Sequence, residues 1–96
     1  MAVRLISYDP NEPGRDDTAL VDLVKKYGPW AKLSDRAYAV ETSVSPATIM
    51  ERLKKYTDPY DVICVITLTA PCCVHGHEDL DDWLSRKLEE PFQNPI

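Results

Sequence analysis

Val3-Arg4-Leu5-Ile6-Ser7-Tyr8-Asp9, the stretch VRLISYD, is the first regular element of the chain and the one that decides its fold class. Its side chains alternate between two faces, with Val3 and Leu5 on one and Ile6 and Tyr8 on the other, which indicates a β-strand. Two prolines and a glycine within residues 10–14 then break the strand and predict a turn. The rest of the chain continues this start as helix, strand, strand, helix and strand.

The next four elements can be placed by their capping and turn residues. Asp16 or Asp17 is a natural N-cap for a first helix that runs to about Tyr27 and carries the apolar residues Leu20, Leu23, Val24 and Tyr27 on one stripe. A short second strand (30–33) and a third strand (36–42) follow. Ser45-Pro46 then opens a second helix, which runs to about Tyr56 and is expected to bury Ile49, Leu53 and Tyr56.

The fourth strand, residues 61–69, is the most apolar run of the chain. It does not alternate, which predicts burial on both faces and makes Cys64 a small core residue. A third helix is expected from about Glu78 to Glu90, anchored by Trp83 on an apolar stripe with Leu80, Leu84 and Leu88. Pro91 closes it, and residues 92–96 form a tail.

This order predicts an α+β protein with the ferredoxin-like βαββαβ fold: a four-stranded antiparallel sheet, two helices on one face and a C-terminal third helix. Residues 1–96 would form one domain, with a core over residues 3–69 and a C-terminal loop, helix and tail over 70–96. In the strand order 4-1-3-2 the apolar fourth strand lies at an edge, where it would aggregate unless covered. The third helix, the tail or a second subunit is expected to cover it, and we favour a homodimer.

Composition limits the classes of function. The chain has a net charge of -5, and most of that charge lies after Tyr56. A net acidic protein is a poor non-specific binder of nucleic acid, although the near-neutral first half leaves room for a local basic patch. No segment is typical of a membrane span or a secretory leader, so a cytoplasmic protein without membrane contact is expected. Three cysteines, two of them adjacent, predict reduced thiols in place of a disulfide framework.

Several polar clusters have both a chemical and a structural interpretation. Cys72, Cys73, His75 and His77 are four candidate zinc ligands, but their spacing is poor for a tetrahedral site, and a loop with incidental thiols is the better interpretation. The acids Glu78, Asp79, Asp81 and Asp82 suit the positive end of a helix. The lysine pairs 25–26 and 54–55 suit the negative ends of two helices, while in a dimer they could also line a phosphate-binding face. Asp9 can be a metal ligand or the cap of its own turn.

Four short motifs resemble a known family: Tyr8-Asp9 at the end of the first strand, Tyr27-Gly28, Tyr38-Ala39-Val40-Glu41 and Ser45-Pro46. They are similar to the small ferredoxin-like CRISPR-associated (Cas-two) proteins, and more closely to SinR-like and VapD-like relatives outside CRISPR loci. The resemblance covers roughly residues 3–69 and implies a homodimer. It also implies that Asp9 is the catalytic and metal-binding residue, with one Mg²⁺ shared by the two subunits.

These observations give three hypotheses. The first is a Cas-two-like dimer with metal-dependent endonuclease activity on RNA or DNA at Asp9. The second is a non-catalytic dimeric interaction module of the same fold, with the acidic third helix as a surface for a protein partner. The third is a metal sensor that uses the cysteine and histidine loop. The acidic last third and the added helix depart from the CRISPR-associated pattern.

Overall fold

The computed structural model describes residues 1–12, 14 and 16–88. Its elements in chain order are β1 (Ala2–Asp9), α1 (Thr18–Lys25), β2 (Trp30–Ser34), β3 (Ala37–Thr42), α2 (Pro46–Leu53), a short 3-10 turn (Lys54–Tyr56), β4 (Val62–Leu68) and α3 (Glu78–Lys87). The predicted helix end at Glu90, together with Pro91 and the tail 92–96, lies outside the described residues.

The four strands form one antiparallel sheet in the order β2-β3-β1-β4. Read from the opposite edge, this is the order 4-1-3-2 that the sequence analysis expects. The central strand β1 pairs with β3 on one side, with Leu5 opposite Ala39, and with β4 on the other, with Leu5 opposite Ile66. The protein is therefore an α+β structure in which β2 and β4 are the two edge strands.

The first face of the sheet is covered by α1 and α2. Ile6 and Tyr8 of β1 and Val40 of β3 form one buried cluster with residues of both helices. Helices of eight residues are marginal alone in water, so this packing is what stabilises them. The helix residues of the cluster are Leu20, Val24, Ile49 and Leu53.

The ends of both helices differ from the sequence prediction. Helix α1 stops at Lys25, two residues before the predicted end, and Asp17 occupies its N-cap position without a side-chain hydrogen bond. Helix α2 begins as predicted, because the Ser45 side chain accepts a hydrogen bond from the Thr48 amide at 3.2 Å. The expected burial of Tyr56 is wrong: α2 tightens into the 3-10 turn after Leu53, which leaves Tyr56 49% exposed.

The opposite face of the sheet holds α3. Leu80 and Leu84 form a second buried cluster with Val3 of β1 and Ala39 of β3, and Trp83 packs against it. The small side chains of Ala31 and Ala39 let the helix approach this part of the sheet closely. Helix α3 thus covers the β2–β3 half of its face, and the β4 half lies beside it.

Strand β4 contradicts the expectation of burial on both faces. Val62 is 57% exposed and Ile66 is 50% exposed, and Cys64 between them is also exposed. Cys64 is therefore not a core residue. The reason is that the side chains of Ile63 and Val65 pack under α1 and α2, while their neighbours point to the α3 side, where the helix lies too far towards β2 to cover them.

Candidate functional site

Asp9 lies at the carboxyl end of β1, opposite Val62, the first residue of β4. Its side chain is 79% exposed, and one carboxylate oxygen lies 3.8 Å from Nη1 of Arg36. The backbone holds Arg36 in place, since the Tyr8 amide donates a hydrogen bond to the Arg36 carbonyl oxygen at 3.0 Å. Asp9 is therefore an accessible carboxylate beside a cation, at the corner where β1 and β4 meet.

Two other acids, Asp58 and Asp61, lie just before β4 in the sequence, and both stabilise the loop that leads into this strand. One oxygen of the Asp61 carboxylate accepts a hydrogen bond from the Asn11 amide at 2.7 Å, and the other accepts one from the Asp58 amide at 2.9 Å. The Asp58 carboxylate in turn accepts a hydrogen bond from the Tyr60 amide at 2.7 Å. These bonds explain the two acids as loop-forming residues, a role that Asx side chains commonly take.

The described residues do not include any group of three histidine, cysteine, aspartate or glutamate side chains placed to hold a metal ion. Mg²⁺ in proteins is usually held by one or two carboxylates, with water or substrate oxygens completing its octahedron. Asp9 alone supplies one carboxylate next to a competing arginine. Among the described residues, Asp9 is therefore the single carboxylate of the predicted metal site, and the shared ion expected from the sequence would add a second Asp9 from another copy.

The cysteine and histidine residues of the loop before α3 lie in different environments. Cys72 packs against the cluster under α3, whereas Cys73 is exposed. His77 is the N-cap of α3, where its Nδ1 atom accepts a hydrogen bond from the Leu80 amide at 3.1 Å. The sequence analysis missed this capping role, because histidine is not one of the usual N-cap residues.

The two lysine pairs lie at opposite ends of the sheet. The pair 25–26 leads into the start of β2, and the pair 54–55 precedes the start of β4. Strands β3 and β4 both run antiparallel to β1, and β2 runs antiparallel to β3, so β2 and β4 start at opposite ends. Lys25 also lies over the ring of Trp30, 4.5 Å from its centroid. Within one subunit, the two pairs therefore do not line a common phosphate-binding face.

The most distinctive surface is the exposed side of β4, which we call the β4 strip and define as Val62, Cys64 and Ile66. The strand contains no charged residue, proline or glycine, and no further strand pairs with its outer side among the described residues. Its backbone groups and its apolar side chains thus face solvent together. Such an edge is a ready template for another chain.

The opposite edge differs in its length, its charge and its register. Strand β2 is shorter, carries Lys32, and shows a register irregularity between Lys32 and Ser34 where it pairs with β3. Short length, a lysine and a bulge are the devices that keep edge strands from pairing with other molecules. The same sheet therefore has one protected edge and one open edge.

No protein-family model, curated protein or solved structure shows a significant match to this chain. None of the helices in the described part of the chain has the length and apolarity needed to cross a membrane. The geometry thus defines an α+β domain with one open, uncharged sheet edge and one exposed carboxylate beside it.

Proposed function

We propose that this chain is a ferredoxin-like protein of the Cas-two-like, SinR-like type that acts as a homodimeric interaction module through its β4 strip. Strand order, the pair of helices on one face and the connections between strands all support the βαββαβ arrangement. The observation that carries the dimer is the exposure of Val62, Cys64 and Ile66 on an edge strand that has no charged residue, no proline and no register irregularity.

Charge favours a second copy as the occupant of this surface. The chain carries a net charge of -5, so most contacts between two copies would bring acidic groups together, which is unfavourable. The β4 strip has no charge, and two copies can meet there without opposing like charges. An apolar surface of this kind that is matched to itself by a two-fold axis is the usual basis of a homodimer.

Sedimentation velocity of two matched variants tests the dimer. Ile66→Lys places a charge on the β4 strip, and we expect it to convert a dimer into a monomer. Ser34→Lys adds the same charge to the exposed end of β2 and should leave the dimer intact. Far-ultraviolet circular dichroism of both variants checks that the fold is retained. A monomeric wild type, or a dimer that both variants preserve, would exclude the β4 strip as the interface.

A second function, metal-dependent cleavage of RNA or DNA at Asp9, is favoured by the exposure of that carboxylate beside the start of β4. A metal ion shared between two Asp9 residues would also restrict the geometry of the dimer. If two β4 strands paired antiparallel about their centres, the two Asp9 residues would lie roughly 25 Å apart, because about 20 Å of strand rise combines with three inter-strand spacings of about 4.8 Å. Sharing one Mg²⁺ instead requires a two-fold axis that passes close to Asp9 itself.

Cleavage of labelled single-stranded RNA and duplex DNA in Mg²⁺ or Mn²⁺ separates the two functions. The nuclease proposal expects cutting that Asp9→Asn abolishes and Asp35→Asn preserves. Asp35 is the matched control because it is also an exposed carboxylate beside a cation, 3.9 Å from Lys32. Absence of metal-dependent cutting by the dimeric wild type would leave the interaction module as the function.

A further inference from the structure

Helix α3 begins on a histidine whose ring acts as a hydrogen-bond acceptor. His77 has extended backbone angles at the N-cap position, and its Nδ1 atom accepts the Leu80 amide hydrogen at 3.1 Å. The usual N-cap residues are serine, threonine, aspartate and asparagine, whose oxygens accept at neutral pH and well below it. An imidazole nitrogen accepts only while it carries no proton, and both nitrogens become donors in the imidazolium form. The cap of α3 therefore depends on the protonation state of its own residue.

This cap lies at the point where α3 meets the sheet. Leu80, whose amide makes the bond, is 7% exposed and belongs to the same buried cluster as Val3 and Ala39. Two residues of the preceding segment, Cys72 and Val74, pack against that cluster as well. The bond therefore fixes the first turn of α3 while the segment before it is held against the same part of the sheet.

Charged groups surround the ring from two elements. His77 shares one surface groove with His75, Glu78 and Asp81, and a second with Asp79 of α3 and Lys32 of β2. The carboxylates favour a positive ring, whereas Lys32 opposes it. The positive end of the helix also opposes a cation at this position. None of these groups replaces the acceptor that the Leu80 amide loses when Nδ1 takes up a proton.

We propose that His77 is a pH-sensitive cap, whose protonation removes the acceptor of the Leu80 amide and loosens the first turn of α3 against the sheet. The bond exists only with the neutral ring, so protonation of the Nδ1 atom abolishes it. The loss is that of a single N-cap, and the buried residues of α3 keep the helix on the sheet.

Backbone hydrogen exchange of Leu80, followed by NMR between pH 8 and pH 5.5, tests this cap directly. After correction for the intrinsic pH dependence of exchange, we expect the protection of the Leu80 amide to fall about fivefold, the size of a typical lost N-cap. The range stops at pH 5.5 so that the carboxylates remain ionised. Constant protection of this amide over the whole range would overturn the proposal.

Two variants assign the effect to one ring. His77→Asn supplies a cap that does not titrate, so protection should no longer change with pH, whatever its absolute level. His75→Asn removes the neighbouring imidazole and should keep the wild-type pH profile. A His77→Asn protein that retains the wild-type profile, or a His75→Asn protein that loses it, would refute the assignment to His77.

Discussion

Strand β2 closes one edge of the sheet with five residues that include a lysine and an irregular register, whereas β4 closes the other with seven uncharged residues. The same sheet therefore has one edge strand with features that prevent pairing and one edge strand without them. Since the devices that protect an edge are present on β2, their absence from β4 is informative. This difference between the two edges is the basis of the interface that we propose for β4.

The largest effect on stability should come from a buried residue of α3, the helix that covers only one half of its face of the sheet. Leu84 of this helix is 5% exposed, and Leu84→Ala should lower the free energy of unfolding by about 2–5 kcal/mol, because it leaves a cavity in the second cluster. Ile66→Ala on the half-exposed β4 strip should lower it by less than about 1 kcal/mol in the monomer. Urea unfolding at a protein concentration at which the chain is monomeric measures both values. Equal losses in the two variants would contradict the difference between the covered and the exposed half of this face.

The next effect concerns the turn that leads into β2. A Cβ atom on Gly28 would collide with the carbonyl oxygen of Glu41, and the adjacent Pro29 carbonyl accepts the Glu41 amide at 2.8 Å. Gly28→Ala should therefore cost about 2 kcal/mol, because backbone and not a side chain must move. Gly14→Ala is the control, since nothing lies within 4 Å of its added Cβ atom. Thermal unfolding compares the two, and an unchanged Gly28→Ala protein would contradict the close approach.

Removing the protection of β2 should change assembly more than stability. Lys32→Val deletes the charge on that edge and its exposed ion pair with Asp35, and exposed pairs of this kind contribute about 0–1 kcal/mol. We expect unfolding to change by about 0.5 kcal/mol or less, while concentration-dependent species larger than a dimer appear, because both edges are then open. Light scattering over a concentration series detects them. A variant that stays at the wild-type size would show that the bulge alone is sufficient protection.

The smallest expected effect concerns the hydrogen bonds just before α1. Ahead of α1, the Thr18 hydroxyl and then the Thr18 amide donate hydrogen bonds to Asp16 and lower the pKa of that carboxyl. This contribution to stability is present above the pKa of an unfolded aspartate and is lost as the pH falls through the lowered value. Carboxyl NMR titration should show the pKa of Asp16 rising in Thr18→Val. An unchanged value would exclude the hydroxyl as the cause.

The local sequence predicted the elements and their faces because short-range patterns encode them. Ser45-Pro46 marked the start of α2, and alternation in residues 3–9 separated Ile6 and Tyr8 from Val3. The side of the sheet on which α3 packs is not encoded in its own stripe of Leu80 and Leu84, since it depends on the long-range match to Ala31 and Ala39. The burial of β4 was overestimated for the same reason: its composition resembles a covered strand, and only the position of α3 shows that half of it is exposed.

The candidate site could be predicted only in part. Asp9 was identified from its place at a strand end, and the structure confirms that place and shows that its side chain is exposed. Its neighbour Arg36 was missed, because the two are far apart in sequence and a pairing of β1 with β3 brings them together. The role of His77 was missed because histidine is not one of the usual N-cap residues, whereas its position in the backbone makes it the cap of α3.

The position of β1 at the centre of the sheet has a consequence for biosynthesis. Of the four strands that the structure describes, this one is translated first, yet one of its two neighbours is β4, which is translated last of the four. Until residues 62–68 are available, a nascent chain holds its future central strand as an open edge, with Arg4 still lacking its partner Thr67. Chains truncated before β4 should therefore bind chaperones or aggregate, because a strand that is central in the finished sheet is exposed in them.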